Sequence, residues 1–502
     1  MRAFSSSALS PRALAALEDA LLARLSALPH PGLPDATLGS AGVVRSVAVS
    51  AAAAAAPSPT PSVSVEITLD PVFPGAPSAA PIRDAVAAAA SAACGGAGLA
   101  LAGGRARVRE AAPSRAGAPA FSALGGGLAG LRAAVAVASG KGGVGKSTVS
   151  VNLAFALAAR GARVGLLDAD VQGPSLPTMA SPASLDVRKG ADGCVGPLDV
   201  GAGVAAMSYG WVAPRNAAGE RAGAVMRGPM LATVVRQLAK FTAWGGRDAL
   251  VVDTPPGTGD VHLTLGQLLP LTGAVVVTTP QALAMGNTAR GLAMLKGLAV
   301  PPLALVLNMA YFEDGNGGRH HPLGDGRAAA RALADRWGVP PARVFEVPME
   351  PLVSAAGDGG APAVVAAPRS ATAAVFGELA AAVAGDLEAA LGGARGGGAG
   401  LLSTAWDASR GVVAVRWEEG GGAREALLAP HALRAACRCA ACEDEFTGAR
   451  RVDARAIPKD VAPTRVEPRG NYGVAVAWSD GHTSSIYTHA QLRELAAAKT
   501  KL

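Results

Sequence analysis

Gly140-Lys141-Gly142-Gly143-Val144-Gly145-Lys146-Ser147 follows the apolar run Ala133 to Ser139 and leads into a helix-forming stretch from Thr148 to Arg160. The octet fits G-x-x-x-x-G-K-[ST], and a strand before it with a helix after it is the setting in which that pattern cradles phosphate. Glycines let the backbone N–H groups turn inward around β- and γ-phosphate oxygens, and the helix N-terminus adds its positive end. Lys146 supplies a point charge and the Ser147 hydroxyl a ligand for Mg2+. The candidate nucleotide contacts are therefore Gly140, Gly142, Gly143, Val144, Gly145, Lys146, Ser147 and Thr148.

A Mg-nucleotide site also needs carboxylates at the C-terminal ends of neighbouring strands, where ligands of doubly wound sheets collect. Asp253 ends the run Ala249 to Val252, and Asp168 and Asp170 end Val164 to Leu167. Asp253 is placed to hold a Mg-bound water. The turn Thr254-Pro255-Pro256-Gly257-Thr258-Gly259-Asp260 follows directly. It can offer the Gly257 amide to a γ-phosphate, which would make it a segment that senses hydrolysis.

Further apolar runs at Ala274–Thr279, Leu303–Asn308 and Val344–Val347 lack polar alternation and are separated by helix-length segments. That pattern predicts a mainly parallel, doubly wound α/β sheet covered on both faces, over residues 130–391. Residues 12–112 read as a small α+β domain: a leucine-patterned helix, strands at Val43–Val49 and Val63–Leu69, an Ala-rich helix after Pro81 and a strand near Ala106–Val108. Gly-rich residues 392–400 read as a flexible linker, and 401–497 as a small β-rich domain with strands at Val412–Trp417 and Val474–Trp478.

The chain has 502 residues, enough for about three domains. Half of it is hydrophobic and only 17 % charged, which excludes disorder of the low-hydrophobicity kind. Ala85–Gly104 is uncharged for the length of a membrane span, yet it is mostly Ala, Gly and Ser with little bulk, so no stable membrane insertion is expected. The net charge of +7 carries no basic cluster beyond Arg105, Arg107 and Arg109, which alternate as on a strand edge, so no nucleic acid is expected. The first 17 residues contain Arg2, Arg12, four Ser and no acid, the flavour of an organelle transit peptide, but the leucine pattern already begins within them.

Of five cysteines, Cys437, Cys439 and Cys442 fall in one C-x-C-x-x-C run, and His482 follows forty residues later. Three thiolates and an imidazole make a closed tetrahedral set for Zn2+. The same cysteines could instead hold an iron–sulfur cluster, or form a metal-free thiol group. Cys94 and Cys194 read as small buried or uncommitted residues, and His320 and His321 as exposed neighbours on a Gly-rich loop.

The loop with its additional Lys141, Leu167-Asp168-Ala169-Asp170-Val171-Gln172-Gly173-Pro174-Ser175, the Asp253–Asp260 segment and Leu307-Asn308-Met309 together resemble the Mrp/ApbC iron–sulfur carriers. These belong with the deviant Walker A ATPases, among them MinD, ParA and nitrogenase iron protein. The resemblance implies a slow, dimer-dependent ATPase that uses ATP and Mg2+ and carries a 4Fe-4S cluster from cluster donors to iron–sulfur apo-proteins. It implies that Lys141 crosses a homodimer interface to the partner's nucleotide, Asp170 orients the attacking water, Asp253 is the Mg-side acid and Asn308 contacts adenine.

The flanks extend the likeness. The first domain resembles the small assembly domain that precedes the ATPase in many carriers. Residues 401–497 resemble the N-terminal domain of γ-butyrobetaine hydroxylase, with Asp444–Gly448, Gly470–Tyr472 and Trp478–Gly481 as matching segments and a similar Cys/Cys/Cys/His zinc arrangement. This domain order is that of plastid-type members, which implies the chloroplast stroma; the residues themselves leave the cytoplasm open. The family's C-x-x-C after the Asn-Met is missing here, where Ala310–Pro322 has no cysteine, so the cluster ligands are unassigned. The alternative is a ParA/MinD-like positioning ATPase without a cluster, which requires a membrane-binding C-terminal helix or a basic DNA-binding face.

Overall fold

The computed structural model describes residues 10–33, 36–52, 60–111, 121, 124–190, 192–213, 226–395, 403–419, 422–439, 441–443, 450–469 and 473–499. Its centre is an eight-stranded sheet. From one edge the strands are Val344–Glu346, Pro302–Leu307, Gly273–Thr278, Ala134–Ser139, Ala249–Asp253, Val164–Asp168, Val204–Ser208 and Leu198–Asp199. Seven run parallel and Leu198–Asp199 pairs antiparallel at the far edge.

The six apolar runs read from the sequence are six of these strands. Val204–Ser208 and Leu198–Asp199 add two that composition hid, because an Ala-rich pentapeptide and a dipeptide carry little periodicity. Both faces are covered, as a parallel sheet requires. One buries the helix Lys146–Ala159 and the closing helix Ala371–Arg395; the other buries Gly228–Phe241, Asp260–Leu268 and Ala282–Gly297.

The small N-terminal domain has its own core of Leu17, Leu21, Val65, Ile67 and Val86, built from helices Pro11–Ser26 and Ala79–Gly96 on a four-stranded sheet. The second helix starts two residues before Pro81, since proline is tolerated within a first helical turn. Its entry turn is seated on the ATPase-like domain. Phe73 is fully buried in that domain's core, and Arg160 donates Nε–H and Nη2–H to the Gly75 carbonyl at 2.9 and 2.6 Å. Gly75 has φ +68, and a Cβ there would lie 2.2 Å from the Arg160 carbonyl oxygen, so only glycine permits this approach.

The expected linker at 392–400 is partly helix: Ala371–Arg395 runs through Gly392, whose missing side chain leaves room for Leu33 (a Cβ would meet its Cδ1 at 2.4 Å). Residues 396–400 lie outside the described residues, as do all of Asp444–Gly448 and all of Gly470–Tyr472. The C-terminal domain consists of two three-stranded antiparallel sheets, Ser403–Asp407/Val412–Glu419/Gly422–Leu428 and Pro463–Arg469/Gly473–Trp478/Ser485–Thr488, with helices Pro430–Ala435 and His489–Lys499. In the last helix Leu492 is fully buried and Leu495 packs on the same core. Its apolar side is thus used inside the domain rather than offered to a membrane. No helix among the described residues is long and apolar enough to cross one.

Candidate nucleotide site and metal centre

Strand Ala134–Ser139 is buried along its whole length, so its C-terminal end is a fixed platform from which the glycine-rich loop departs. Gly145 closes the loop at φ +83 and serves as N-cap of Lys146–Ala159. A Cβ on Gly145 would lie 2.1 Å from Asn308 Nδ2, which donates to the Val144 carbonyl at 2.9 Å. Asn308 therefore braces the loop from the neighbouring strand end. Gly140 lies against helix Ala282–Gly297, where a Cβ would meet the Asn287 carbonyl carbon at 2.2 Å.

Lys146 is 7 % exposed and its Nζ donates to Asp253 Oδ1 at 2.6 Å. Ser150 Oγ donates to the same oxygen at 2.8 Å. A phosphate and a Mg-bound water would draw these two charges apart, the lysine toward the phosphate and Asp253 toward the cation. Ser147 lies beside Lys146, with Nζ 3.4 Å from its Oγ. Thr148 opens the same helix two residues on from Lys146.

Asp168 and Asp253 are register partners on adjacent strands. Asp168 accepts from Ser208 Oγ at 2.9 Å, Leu176 N at 3.3 Å and Asp170 N at 3.1 Å. Burial, then the Asp253 charge, pushes its carboxyl up to about 7. Asp170 differs in facing open space. It lines a cleft of about 180 Å3 together with Gln172, Gly228, Leu231, Pro255 and His262, and burial holds its carboxyl above the ordinary range.

The Gly257 amide, at φ +92, donates to the Ser139 carbonyl at 3.0 Å in this state, so a phosphate contact would require the turn to release that bond. Lys141 is half-buried, and among the described residues its ammonium has no ion pair. Sequence reasoning missed His262. It is 4 % exposed on the first turn after the Asp253–Asp260 segment; neither ring nitrogen is hydrogen-bonded among the described residues, and burial, with Lys146, pushes it down to about 4. Its one signal was a polar residue in the apolar stretch Val261–Leu265.

In the cysteine-free stretch after Asn308-Met309 the chain forms a hairpin, Phe312–Glu313 against Arg319–His320. His320 Nε2 lies 2.8 Å from Asp314 Oδ2, His321 Nδ1 3.0 Å from the Ala310 carbonyl, and Arg319 stacks over Tyr311 at 4.3 Å. Both histidines thus serve the hairpin. Cys94 and Cys194 are buried in different domains.

The remaining thiols converge. Cys437 follows helix Pro430–Ala435, Cys442 N donates to the Cys439 carbonyl at 2.7 Å, and Gly481 (φ +83) turns the chain so that His482 reaches them. Its Nε2 stands 3.6, 3.4 and 3.7 Å from the sulfurs of Cys437, Cys439 and Cys442, and the four ligand atoms lie within 4.8 Å of one another. Metal bonds of ~2.3 Å to sulfur and ~2.0 Å to nitrogen at the tetrahedral angle put S and N ~3.6 Å apart, so the set fits one zinc-sized ion. A cubane would spread its thiolates to roughly 6 Å, wider than this set. Ser485 Oγ donates to Cys437 Sγ at 3.2 Å, and Ser484 Oγ lies 3.4 Å from Cys439 Sγ. Burial raises the Cys439 thiol, but the Ser484 and Cys437 hydrogen bonds outweigh it and hold it below its ordinary value.

Residues 130–384 match the family model described as NUBPL iron-transfer P-loop NTPase, and residues 405–493 match gamma-butyrobetaine hydroxylase-like, N-terminal. The Fe-S cluster assembly factor HCF101, chloroplastic, of Oryza sativa subsp. japonica is 42 % identical over 362 residues, 72 % of this chain and 64 % of that protein. The Arabidopsis thaliana protein of the same name is 40 % identical over 370 residues, 74 % of this chain and 65 % of its own. This chain thus spans just under two thirds of the length of both. The iron-sulfur cluster carrier protein of Pseudomonas fragi is 42 % identical over 256 residues, 51 % of this chain and 86 % of that protein.

Proposed function

Because this chain belongs to the NUBPL iron-transfer P-loop NTPase family, we propose that it is an ATP-dependent carrier that receives 4Fe-4S clusters from donors and passes them to apo-proteins. The observation that carries the ATP half is the buried Lys146–Asp253 pair at the mouth of the glycine-rich loop, with Asp170 facing the adjoining cleft. Lys146 meets the β- and γ-phosphates, the loop and Thr148 amides surround them, and Ser147 and Asp253 hold Mg2+ directly and through water. Asp170 orients the attacking water. Asn308 contacts adenine while bracing the loop, and Gly257 exchanges Ser139 for the γ-phosphate, which couples nucleotide state to the Asp253–Asp260 segment.

The ammonium of Lys141, which has no ion pair among the described residues, supports a role across a homodimer, reaching the partner's nucleotide. The likeness to the two plant relatives, both chloroplastic by name, supports the stroma as the working compartment. The compact Cys437/Cys439/Cys442/His482 set supports a single Zn2+ there, which when bound stabilises the C-terminal domain, with the cluster as cargo held elsewhere. Leu492 and Leu495 of the last helix pack into the domain core, which does not support that helix as the membrane-binding element the positioning-ATPase reading requires.

Anaerobic reconstitution of the full chain with iron and sulfide, with and without Mg-ATP, tests the carrier role. Cluster absorption that moves to an apo-ferredoxin on mixing is expected. No cluster absorption in either nucleotide condition would overturn the carrier role and leave only an ATPase.

A further inference from the structure

Arg434 lies on helix Pro430–Ala435 and is 5 % exposed. Its guanidinium faces the thiolate set. Nε donates to Asp480 Oδ2 at 2.8 Å, and Nη1 donates to Cys442 Sγ at 3.4 Å. The other oxygen of Asp480 accepts the backbone N–H of His482 at 3.0 Å. One buried ion pair therefore touches two of the four ligands, from opposite ends.

A guanidinium is taken out of water only where its charge and its N–H groups are met. Asp480 meets one edge. The second edge is aimed at a sulfur, and sulfur is a weak acceptor as a thiol but a good one as a metal-bound thiolate. Three thiolates and a neutral imidazole around a divalent ion leave a net charge of about −1, which a cation at this position offsets. The donors to the other two sulfurs, Ser485 and Ser484, are neutral.

We infer that Arg434 and Asp480 are the charged outer shell of this site, positioning residues that hold Cys442 and His482 at the separation a single divalent ion needs. The inference rests on the metal reading given above. Spreading the ligands to the roughly 6 Å of a cubane would pull Cys442 off Arg434, so the same pair selects one ion over a cluster. Cys439, half-exposed and met by the Ser484 hydroxyl, the Ala441 backbone N–H and its fellow ligands, is left as the corner by which the ion enters.

Cobalt(II) loaded into the full chain reads this directly, because its d–d bands mark tetrahedral geometry and its thiolate-to-metal charge-transfer band marks electron density at sulfur. Arg434→Gln should shift the charge-transfer band to lower energy and, in chelator competition, weaken Co2+ and Zn2+ retention roughly 10–100-fold, the usual effect of losing an outer-shell partner. Asp480→Asn keeps an acceptor for the His482 N–H and should shift both in the same direction by less. It also carries the test if Arg434→Gln does not fold. Wild-type band position and chelator midpoint in these variants would overturn the inference while leaving the metal reading intact. A wild-type chain with no tetrahedral Co2+ spectrum would overturn the metal reading and this inference with it.

Discussion

Replacing Asp168 by Asn should make the nucleotide-free protein more stable at pH 8 and remove part of its pH dependence. Asp168 is 1 % exposed and sits beside Asp253, with Lys146 the cation that both carboxylates feel. Its carboxyl is raised from 3.8 to about 7 by burial and by Asp253. Between those values the folded state keeps a proton that the unfolded chain has released, so stability from this group is lost as pH rises from about 4 to about 7. At ~1.4 kcal/mol per unit the full shift is worth about 4 kcal/mol, and the part that replacing Asp168 alone recovers is about 2–4 kcal/mol, because the shift is shared among coupled neighbouring charges. Asn keeps an acceptor for Ser208 Oγ and Leu176 N while removing the charge.

Scanning calorimetry of both proteins at pH 5 and pH 8, without nucleotide or Mg2+, is the assay. The transition of the 130–391 unit should rise in the variant at pH 8 by roughly 5–10 °C and at pH 5 by only about a third of that. An equal gap between the two proteins at both pH values would refute the reasoning, since it would show that Asp168 does not change its protonation on folding.

Lys146→Ala should abolish ATP binding in titration calorimetry, whereas Asp170→Ala should bind ATP and release no phosphate, because orienting a water acts on the transition state and not on ground-state affinity. If Lys141 works in trans, equal parts of inactive Lys141→Ala and Asp170→Ala chains should recover about a quarter of wild-type turnover, half the dimers being mixed with one intact site of two; no recovery in a verified mixed dimer would assign the lysine to its own subunit. Asp248, fully buried, accepts from Arg132 and from three N–H groups of Arg163, so Asp248→Ala should cost about 3–5 kcal/mol in urea unfolding by stranding a buried cation.

The glycine-rich loop, its carboxylates and the C-x-C-x-x-C run were legible in the chain because each is a contiguous segment whose chemistry depends on neighbours in sequence. The strands that carry them were legible for the same reason, as unbroken apolar runs. Contacts between distant segments were not. The register that sets Asp168 against Asp253 and the Lys146–Asp253 ion pair arise from pairing across 85 and 107 residues, and the burial of His262 from packing of the same kind, which no local pattern encodes. The same holds for Arg160 on Gly75 and for the two strands at the sheet edge, Val204–Ser208 and Leu198–Asp199, which exist through their partners. At the Cys437/Cys439/Cys442/His482 group, spacing named four candidate ligands, but the folded turn at Gly481 decided that the three sulfurs stand 3.4–3.7 Å from one imidazole nitrogen. That separation suits one ion rather than a cubane, because ligand distance is a property of how two antiparallel sheets bring remote turns together and not of the order of residues along them.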